Sequence, residues 1–226
     1  MPASICLSAG HFTQDPGAVS SGLIERDLAI KITDRCVTML QKHGLSTLRV
    51  PDDIDLTPTI NWINQRASQI ELCVEIHINA GGGHGMETWY YHDSVESKKL
   101  SQFINDACVA ETGLPNRGVK DEATNQWGKL GFVHDTIPLA CLVECGFIDG
   151  DNAFLKVDEN LTRMSKGVAR GIISYLGLKW TPELLNPVTT PTIPPITSIE
   201  TELKKAQSDL QNLKSKVKKV VEILNS

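Results

Sequence analysis

The sequence lacks several features that would assign it to a specialised class of protein. None of its apolar runs approaches the roughly 20 residues that a transmembrane helix requires, so we expect no membrane partner. The net charge of −5 gives no excess of basic residues, which argues against a nucleic-acid partner. No two cysteines form a CxxC pair, and this absence argues against a cysteine zinc site and a disulfide framework.

The composition that is present is typical of a globular protein. Of the 226 residues, 41% are hydrophobic and 22% are charged, which excludes a disordered or collagenous chain. The six cysteines are scattered, mostly within apolar stretches, and this pattern predicts small buried side chains in a reducing compartment. The N-terminus shows neither the basic nor the long apolar segment of an export signal. We therefore expect synthesis in the cytoplasm without a signal peptide.

A change of composition near residue 180 divides the chain into three predicted parts. Residues 1–180 have the mixed composition of a folded domain. Residues 181–198 contain five of the eleven prolines, and this density predicts a semi-rigid, extended linker. In residues 199–226 the apolar side chains follow a heptad spacing, which predicts a coiled-coil helix.

The heptad segment over residues 199–226 is expected to mediate self-association. Leucine dominates its a positions and β-branched residues occur at d, which favours trimers or tetramers over dimers. An amphipathic helix that folds back on the domain is the alternative interpretation.

The first 180 residues alternate between short apolar runs and helical patterns. The predicted strands are Ser4–Ala9, Ser46–Val50, Leu72–Ile78, Glu87–Tyr91, Gly131–Val133 and Ala140–Glu144. The predicted helices are Glu25–His43, Thr59–Gln69, Ser94–Thr112 and Asp158–Tyr175. Such alternation predicts an α/β domain with helices on both faces of a sheet.

Four polar residues stand where this architecture brings chain segments together. His11 follows the first strand, His77 and Glu144 lie at the ends of two later ones, and Glu25 opens the first long helix. The carboxyl ends of strands share one rim of an α/β sheet, where ligands bind. Two imidazoles and a carboxylate suit a catalytic zinc, and a further carboxylate such as Glu144 suits the role of proton acceptor.

Each of these residues also has a simpler interpretation. A single histidine after a strand is more often a satisfied surface or core group than a metal ligand. Glu25 by itself is a favourable charge in the first turn of a helix. Glu144 could cap a strand or pair with an arginine such as Arg117. The wide spacing is unlike a compact motif such as HExxH, so the residues alone leave both interpretations open.

Eight blocks of the sequence, in order, resemble the zinc-dependent N-acetylmuramoyl-L-alanine amidases of the amidase-3 type. The resemblance extends over about residues 5–178. The blocks are Ser8-Ala9-Gly10-His11 with Asp15-Pro16-Gly17-Ala18, Glu25, Arg49, Gln65-Arg66-Ala67, Ile76-His77-Ile78-Asn79-Ala80, Gly85-Met86-Glu87-Thr88-Trp89-Tyr90-Tyr91, Arg117-Gly118-Val119-Lys120, and Leu142-Val143-Glu144-Cys145-Gly146-Phe147.

The resemblance implies a fold, a cofactor and a reaction. The fold is a twisted, mainly parallel six-stranded sheet flanked by helices, to which this chain adds the C-terminal coiled-coil helix. His11, Glu25 and His77 are the implied Zn²⁺ ligands and Glu144 the implied catalytic carboxylate. The implied reaction hydrolyses the amide between N-acetylmuramic acid and L-alanine in bacterial peptidoglycan.

Other residues near these blocks are candidates for substrate contacts. They are Asn79, Arg117 and His134, although a turn role suits His134 at least as well. Phe12 and its neighbours stand where the family commonly has glycine, so we expect a bulkier first loop. Glu75 is interpreted as an exposed edge charge rather than a partner of the site, and His84 as solvated rather than a ligand.

The leading functional hypothesis is a phage or prophage endolysin that acts at the cell wall after release from the cytoplasm. Its catalytic domain spans residues 1–180, and the heptad helix clusters several copies. A sporulation autolysin with the same chemistry is one alternative. A zinc peptidase acting on a non-wall substrate and a non-catalytic scaffold are the others.

Overall fold

Apolar runs of the sequence pair into one sheet, and amphipathic segments between them form helices. The computed structural model describes residues 4–126 and 128–182, so the predicted coiled coil and nearly all of the predicted linker lie outside the described residues. The strands are β1 Ser4–Ala9, β2 Val19–Ser20, β3 Leu23–Ile24, β4 Thr47–Arg49, β5 Ile70–Asn79, β6 Met86–Tyr90, β7 Asn116–Asp121 and β8 Leu139–Phe147. The helices are α1 Glu25–Lys42, α2 Leu56–Asn64, α3 Val95–Thr112, α4 Gly131–Asp135, α5 Asn152–Leu155 and α6 Asp158–Tyr175, with 3₁₀ turns at Ala67–Gln69 and Glu122–Thr124.

Six strands form the main sheet in the order β4-β1-β5-β8-β6-β7. All neighbouring pairs are parallel except β6 and β8, which run antiparallel. The central strands β1, β5 and β8 are buried along most of their length, as strands covered on both faces usually are. The predicted six-stranded, mainly parallel sheet is therefore confirmed.

Two hydrophobic clusters cover the two faces of the sheet. Helices α1, α3 and α6 pack on one face, where α6 approaches α3 closely because Gly167 and Gly171 present no side chain to Cys108 and Ile104. The short helices α2 and α4 cover part of the other face. This second face carries the candidate site residues. Within residues 4–126 and 128–182, no helix is long and apolar enough to span a bilayer.

The structure corrects several predicted elements. Residues 131–133 begin helix α4 rather than a strand, because Phe132 and Val133 are both buried against the second face and no strand of the described residues pairs with them. Helix α2 begins earlier than predicted, at Leu56, whose N–H donates to the Asp55 side chain, and it ends at Asn64. Strand β7 was not predicted, because its sequence NRGVKD contains a single apolar residue and it lies at the sheet edge.

The cysteines confirm the expectation of small buried side chains. All six are free and buried. Burial raises the pKa of Cys6 and of Cys141 to about 12, so their thiolates are scarce at neutral pH. We expect the folded chain to show essentially no rapid reaction with a thiol reagent such as dithionitrobenzoate. Unfolding in denaturant should release six reactive thiols, and rapid labelling of the folded chain would contradict this packing.

Candidate metal centre

The loop after β1 brings His11 against His77 of β5 because glycine stands at two points of close approach. A side chain on Gly10 would collide with the His77 ring. Gly17 has a φ of +65°, and a Cβ there would lie 2.5 Å from the His11 ring and 2.7 Å from Oε2 of Glu25. The Asp-Pro-Gly segment of the sequence is thus the part of the loop that lets the three side chains meet.

Glu25 is the centre of the group and reaches it by way of the β2–β3 hairpin. This hairpin turns at Ser21-Gly22, so that the first residue of α1 faces back toward β5. Oε1 of the buried Glu25 lies 3.0 Å from Nε2 of His11 and 3.0 Å from Nδ1 of His77. Its Oε2 accepts the N–H of Ala18 at 2.9 Å. Oε1 also accepts the N–H of Ile78 at 3.1 Å, so this oxygen faces two imidazole nitrogens and both carboxylate oxygens are held by backbone donors.

Each histidine is held on its other nitrogen by a second carboxylate. Nδ1 of His11 lies 2.7 Å from Oδ2 of Asp15, and Nε2 of His77 lies 3.2 Å from Oε2 of Glu75. Ser8 in turn donates to Oε1 of Glu75. Outer carboxylates of this kind orient metal-binding imidazoles and raise their basicity.

The interpretation of Glu75 as an exposed edge charge is wrong. Its side chain is only 7% exposed, and β5 is an interior strand because β1 and β8 pair with it on either side. The sequence placed Glu75 on the same face as His77, two residues earlier, and that alternation was the available signal. The Asp15-Pro16-Gly17-Ala18 block by itself does not indicate the contact between Asp15 and His11.

The electrostatics of the group favour positive charge at its centre. Burial by itself raises the pKa of Glu25, but hydrogen bonds from His11 and His77 outweigh burial and hold that pKa well below its usual range. Burial likewise opposes the charged form of His77, yet its contacts with Glu25 and Glu75 raise the pKa of His77 well above the usual value. The surrounding carboxylates therefore favour the binding of a cation at this point.

Glu144 lies beside the group on the next strand. It pairs in register with His77 of β5 on one side and with Glu87 of β6 on the other, so the three side chains share one face of the sheet. Among the described residues, its Oε2 is buried and has no hydrogen-bond partner. Burial raises the pKa of Glu144 to about 7, although the His77 imidazolium partly opposes this. A carboxyl group in this state is suited to exchange a proton near neutral pH.

The alternative interpretations of Glu144 do not hold. Strand β8 continues to Phe147, so Glu144 lies inside the strand and does not cap it. Arg117 pairs with Glu87 instead, with Nε 2.6 Å from Oε2. Lys120 contacts the same carboxylate oxygen at 2.6 Å, so two cationic side chains share one buried anion.

Two adjoining cavities open at these residues. The first, of about 290 Å³, is lined by His11, His77, Glu75 and the apolar Phe12 and Phe132, among others. Phe12 therefore forms part of the cavity wall, as expected for a bulkier first loop.

The second cavity, of about 470 Å³, is lined by Glu144, Asn79, Arg117 and Lys120, among others. Leu130 lines both cavities, so the candidate ligands His11 and His77 and the carboxylate of Glu144 lie on adjoining parts of one groove.

The remaining candidate residues lie in different surroundings. Asn79 donates to Oε1 of Glu87 at 2.9 Å and faces the second cavity. The His84 side chain is 62% exposed, as predicted, with Nδ1 3.1 Å from Oδ1 of Asp151. His134 lines neither cavity, and its Nδ1 lies 2.9 Å from Oε1 of Glu122. Its contact with substrate stays a prediction.

Comparison with known sequences gives a consistent family match. Residues 5–174 match the family model Amidase_3, described as N-acetylmuramoyl-L-alanine amidase. The endolysin of Bacillus phage SPP1 is 30% identical over 187 residues, covering 79% of this chain and 68% of the endolysin. The sporulation-specific N-acetylmuramoyl-L-alanine amidase of Bacillus subtilis is 29% identical over 185 residues, covering 78% of this chain and 69% of that protein.

Solved structures show the same architecture. An N-acetylmuramoyl-L-alanine amidase from Clostridium difficile 630 superposes with a TM-score of 0.69 at 25% identity, covering 80% of this chain and 100% of that one. The catalytic domain of the CD27L endolysin, which targets Clostridia difficile, superposes with a TM-score of 0.65 at 20% identity. This second match covers 79% of this chain and 99% of the other, and it supports the fold alone.

Proposed function

Because the chain belongs to the Amidase_3 family of N-acetylmuramoyl-L-alanine amidases, we propose that His11, Glu25 and His77 hold the zinc ion of a peptidoglycan amidase and that Glu144 is its catalytic carboxylate. The amidase activity itself, hydrolysis of the bond between N-acetylmuramic acid and L-alanine, follows from the family and from its endolysin and sporulation relatives. The zinc proposal rests on three candidate ligand atoms that lie within 4.8 Å of one another, beside Glu144.

The donor set fits a catalytic zinc. Two imidazole nitrogens and one carboxylate oxygen are the ligands of many zinc hydrolases, which leave a fourth position open. Asp15 and Glu75 hold the outer nitrogens of the two histidines and so keep the ligand nitrogens directed inward. Zinc bound there supplies Lewis acidity and lowers the pKa of a water ligand to about 7.

Glu144 performs the proton transfers in this proposal. Its buried Oε2 has no competing hydrogen bond among the described residues, so it is available to accept the proton of the attacking water. The same carboxyl group then donates that proton to the leaving amine of L-alanine, which would otherwise depart as an unstable anion. A pKa raised by burial suits both steps, because the group must gain and lose a proton in each turnover.

The second cavity supplies contacts for the peptide stem. Arg117 and Lys120 both contact Oε2 of the almost fully buried Glu87, so two cationic side chains lie against one carboxylate there. We assign Arg117 to an acidic group of the stem peptide and Asn79 to its backbone, since both line this cavity beside Glu144. Arginine and lysine line this cavity and not the first, and this difference distinguishes the two halves of the groove.

Product analysis tests the reaction directly. Purified peptidoglycan digested by the zinc-loaded protein should yield stem peptides with a free L-alanine amino terminus and no new reducing sugars. Mass spectrometry distinguishes these products from those of the alternative zinc peptidase. Cuts within the stem or bridge peptides would contradict the amidase assignment, and stoichiometric binding without turnover would favour the scaffold alternative.

The biological role proposed is lysis of a bacterial host by an endolysin. The match to the phage SPP1 endolysin supports this role, while the sporulation-specific relative keeps an autolysin as the alternative. Self-association through residues 199–226 stays a prediction based on the heptad alone. Sedimentation of the full chain against a chain ending at Trp180 tests it, because loss of the helix should reduce the mass to that of a monomer.

Glu75 provides a test of the metal centre that does not remove a ligand. Glu75→Gln removes the negative charge next to Nε2 of His77, so we expect zinc affinity to fall roughly 10- to 100-fold. Competition with a fluorescent zinc chelator measures this affinity. Glu71→Gln, on the same strand but at an exposed position, should leave zinc affinity unchanged. Equal affinities in both variants would show that Glu75 does not support the site.

A further inference from the structure

A second group of metal-ligating side chains lies outside the catalytic centre. It consists of His92 in the turn after β6, Glu122 in the 3₁₀ turn after β7, and His134 in α4. The ligand atoms of the three residues lie within 4.8 Å of one another. We propose that His92, Glu122 and His134 form a second, structural site for a divalent cation of the zinc class.

The geometry around Glu122 repeats that around Glu25. The Glu122 side chain has no exposed surface, and its Oε1 lies 2.7 Å from Nδ1 of His92 and 2.9 Å from Nδ1 of His134. Its Oε2 accepts the N–H of Leu130 at 3.2 Å. As at Glu25, Oε1 faces two imidazole nitrogens and Oε2 accepts a backbone N–H, although Oε1 of Glu25 has the further backbone donor Ile78. The two groups are thus built on the same local plan.

The donor set and its spacing suit zinc. Imidazole nitrogen and carboxylate oxygen bind Zn²⁺ with bonds of about 2.0–2.1 Å, and tetrahedral geometry then separates the ligand atoms by roughly 3.3 Å. The nitrogen–oxygen distances of 2.7 and 2.9 Å require only a small expansion to admit the ion. Both histidine side chains are 31% exposed, so solvent and the ion reach the site from outside.

Neighbouring side chains hold the two imidazoles in place. Oδ2 of Asp93 lies 3.2 Å from Nε2 of His92, the outer nitrogen, as Asp15 and Glu75 lie beside the outer nitrogens of the catalytic histidines. The Tyr91 ring packs against both imidazoles, with ring centres 4.7 Å from His92 and 5.3 Å from His134. These contacts reduce the side-chain freedom that is lost when a metal binds.

The site lies where a cation would fix one wall of the catalytic groove. Thr124 and Gln126, just after Glu122, line the cavity that contains Glu144, and Leu130, just before α4, lines both cavities. A cation bound by Glu122 would therefore link the segment after β7 to the end of β6 through His92, and to α4 through His134. Its role is structural, since none of the three residues lines either cavity.

Zinc stoichiometry tests the second site without any activity assay. The full chain is freed of metal with a chelator, loaded with excess zinc, desalted and analysed by mass spectrometry for zinc per chain. We expect two zinc ions in the wild type, one in the double variant His92→Gln and His134→Gln, and one in His77→Gln, which loses the catalytic ion. His43→Gln, a histidine at the far end of α1 from Glu25, is the matched control and should retain two.

A second measurement keeps the proposal testable if the double variant folds poorly. In the His77→Gln chain, zinc should slow amide hydrogen exchange in residues 122–126 and 130–135, and adding the single change His92→Gln should abolish that slowing. The proposal would be overturned by one zinc ion per chain in the wild type, or by two zinc ions per chain in the double variant. Unaltered exchange on adding zinc would show that the group is a hydrogen-bonded cluster only.

Discussion

Glu144→Gln lowers the rate of amide hydrolysis by about 10²- to 10⁴-fold, the contribution typical of general acid–base catalysis. Glutamine has the same shape as glutamate but cannot accept the proton of the attacking water. Oε2 of Glu144 is buried, and Glu144 lies in register between His77 and Glu87. We therefore assign this oxygen as the proton acceptor. Initial rates of stem-peptide release from purified peptidoglycan measure the loss.

The zinc content of the variant separates a catalytic role from a structural one. Glu144 is not one of the three proposed zinc ligands, which meet at Oε1 of Glu25. We therefore expect Glu144→Gln to bind zinc as the wild type does. Glu71→Gln, a change at an exposed position of β5, should leave the zinc content and the activity unchanged. A Glu144→Gln protein that keeps its zinc and hydrolyses at the wild-type rate would exclude the proposed role of Glu144.

We expect the removal of zinc to abolish amidase activity, and His77→Gln to prevent added zinc from restoring that activity. Chelation should reduce hydrolysis to background and added Zn²⁺ should restore it, because zinc held by His11, Glu25 and His77 would supply the Lewis acidity that the reaction needs. In His77→Gln the amide still bonds to the neighbouring carboxylates but is a poor zinc ligand. The buried Glu25 and Glu75 are therefore not left without partners, and the fold should persist.

The control for this variant is a histidine remote from the groove. His43 follows α1 at the end opposite Glu25, where its Nδ1 bonds to the carbonyl oxygen of Met39. His43→Gln should respond to chelation and zinc in the same way as the wild type. Full activity of His77→Gln after exhaustive chelation would refute a zinc-dependent mechanism at this site.

The juxtaposition of the candidate ligands could be predicted because burial and topology dictate it. His11 and His77 follow or end stretches of β1 and β5 that are almost wholly buried, and such stretches are visible in the sequence as apolar runs. Glu25 required the further assumption that the chain turns back before α1, and the Ser21-Gly22 turn of the β2–β3 hairpin confirms it.

Other features depend on contacts that no local pattern encodes. Strand β7 has an almost entirely polar sequence and owes its conformation to pairing with β6. Glu75 lies on a strand between β1 and β8, and the order of the strands in the sheet is not visible in the local sequence around Glu75.

The group around Glu122 is hidden from the sequence for the same reason. Its residues come from three elements that are separated along the chain, and one of them, α4, was predicted as a strand. Only the packed structure brings them together.

Anomalous X-ray diffraction at the zinc edge, from crystals of the zinc-loaded chain, tests the central claim most directly. We expect a strong peak between Nε2 of His11, a carboxylate oxygen of Glu25 and Nδ1 of His77, at about 2.0–2.1 Å from each ligand atom. A fully loaded, active protein with no zinc peak between these three residues would contradict it.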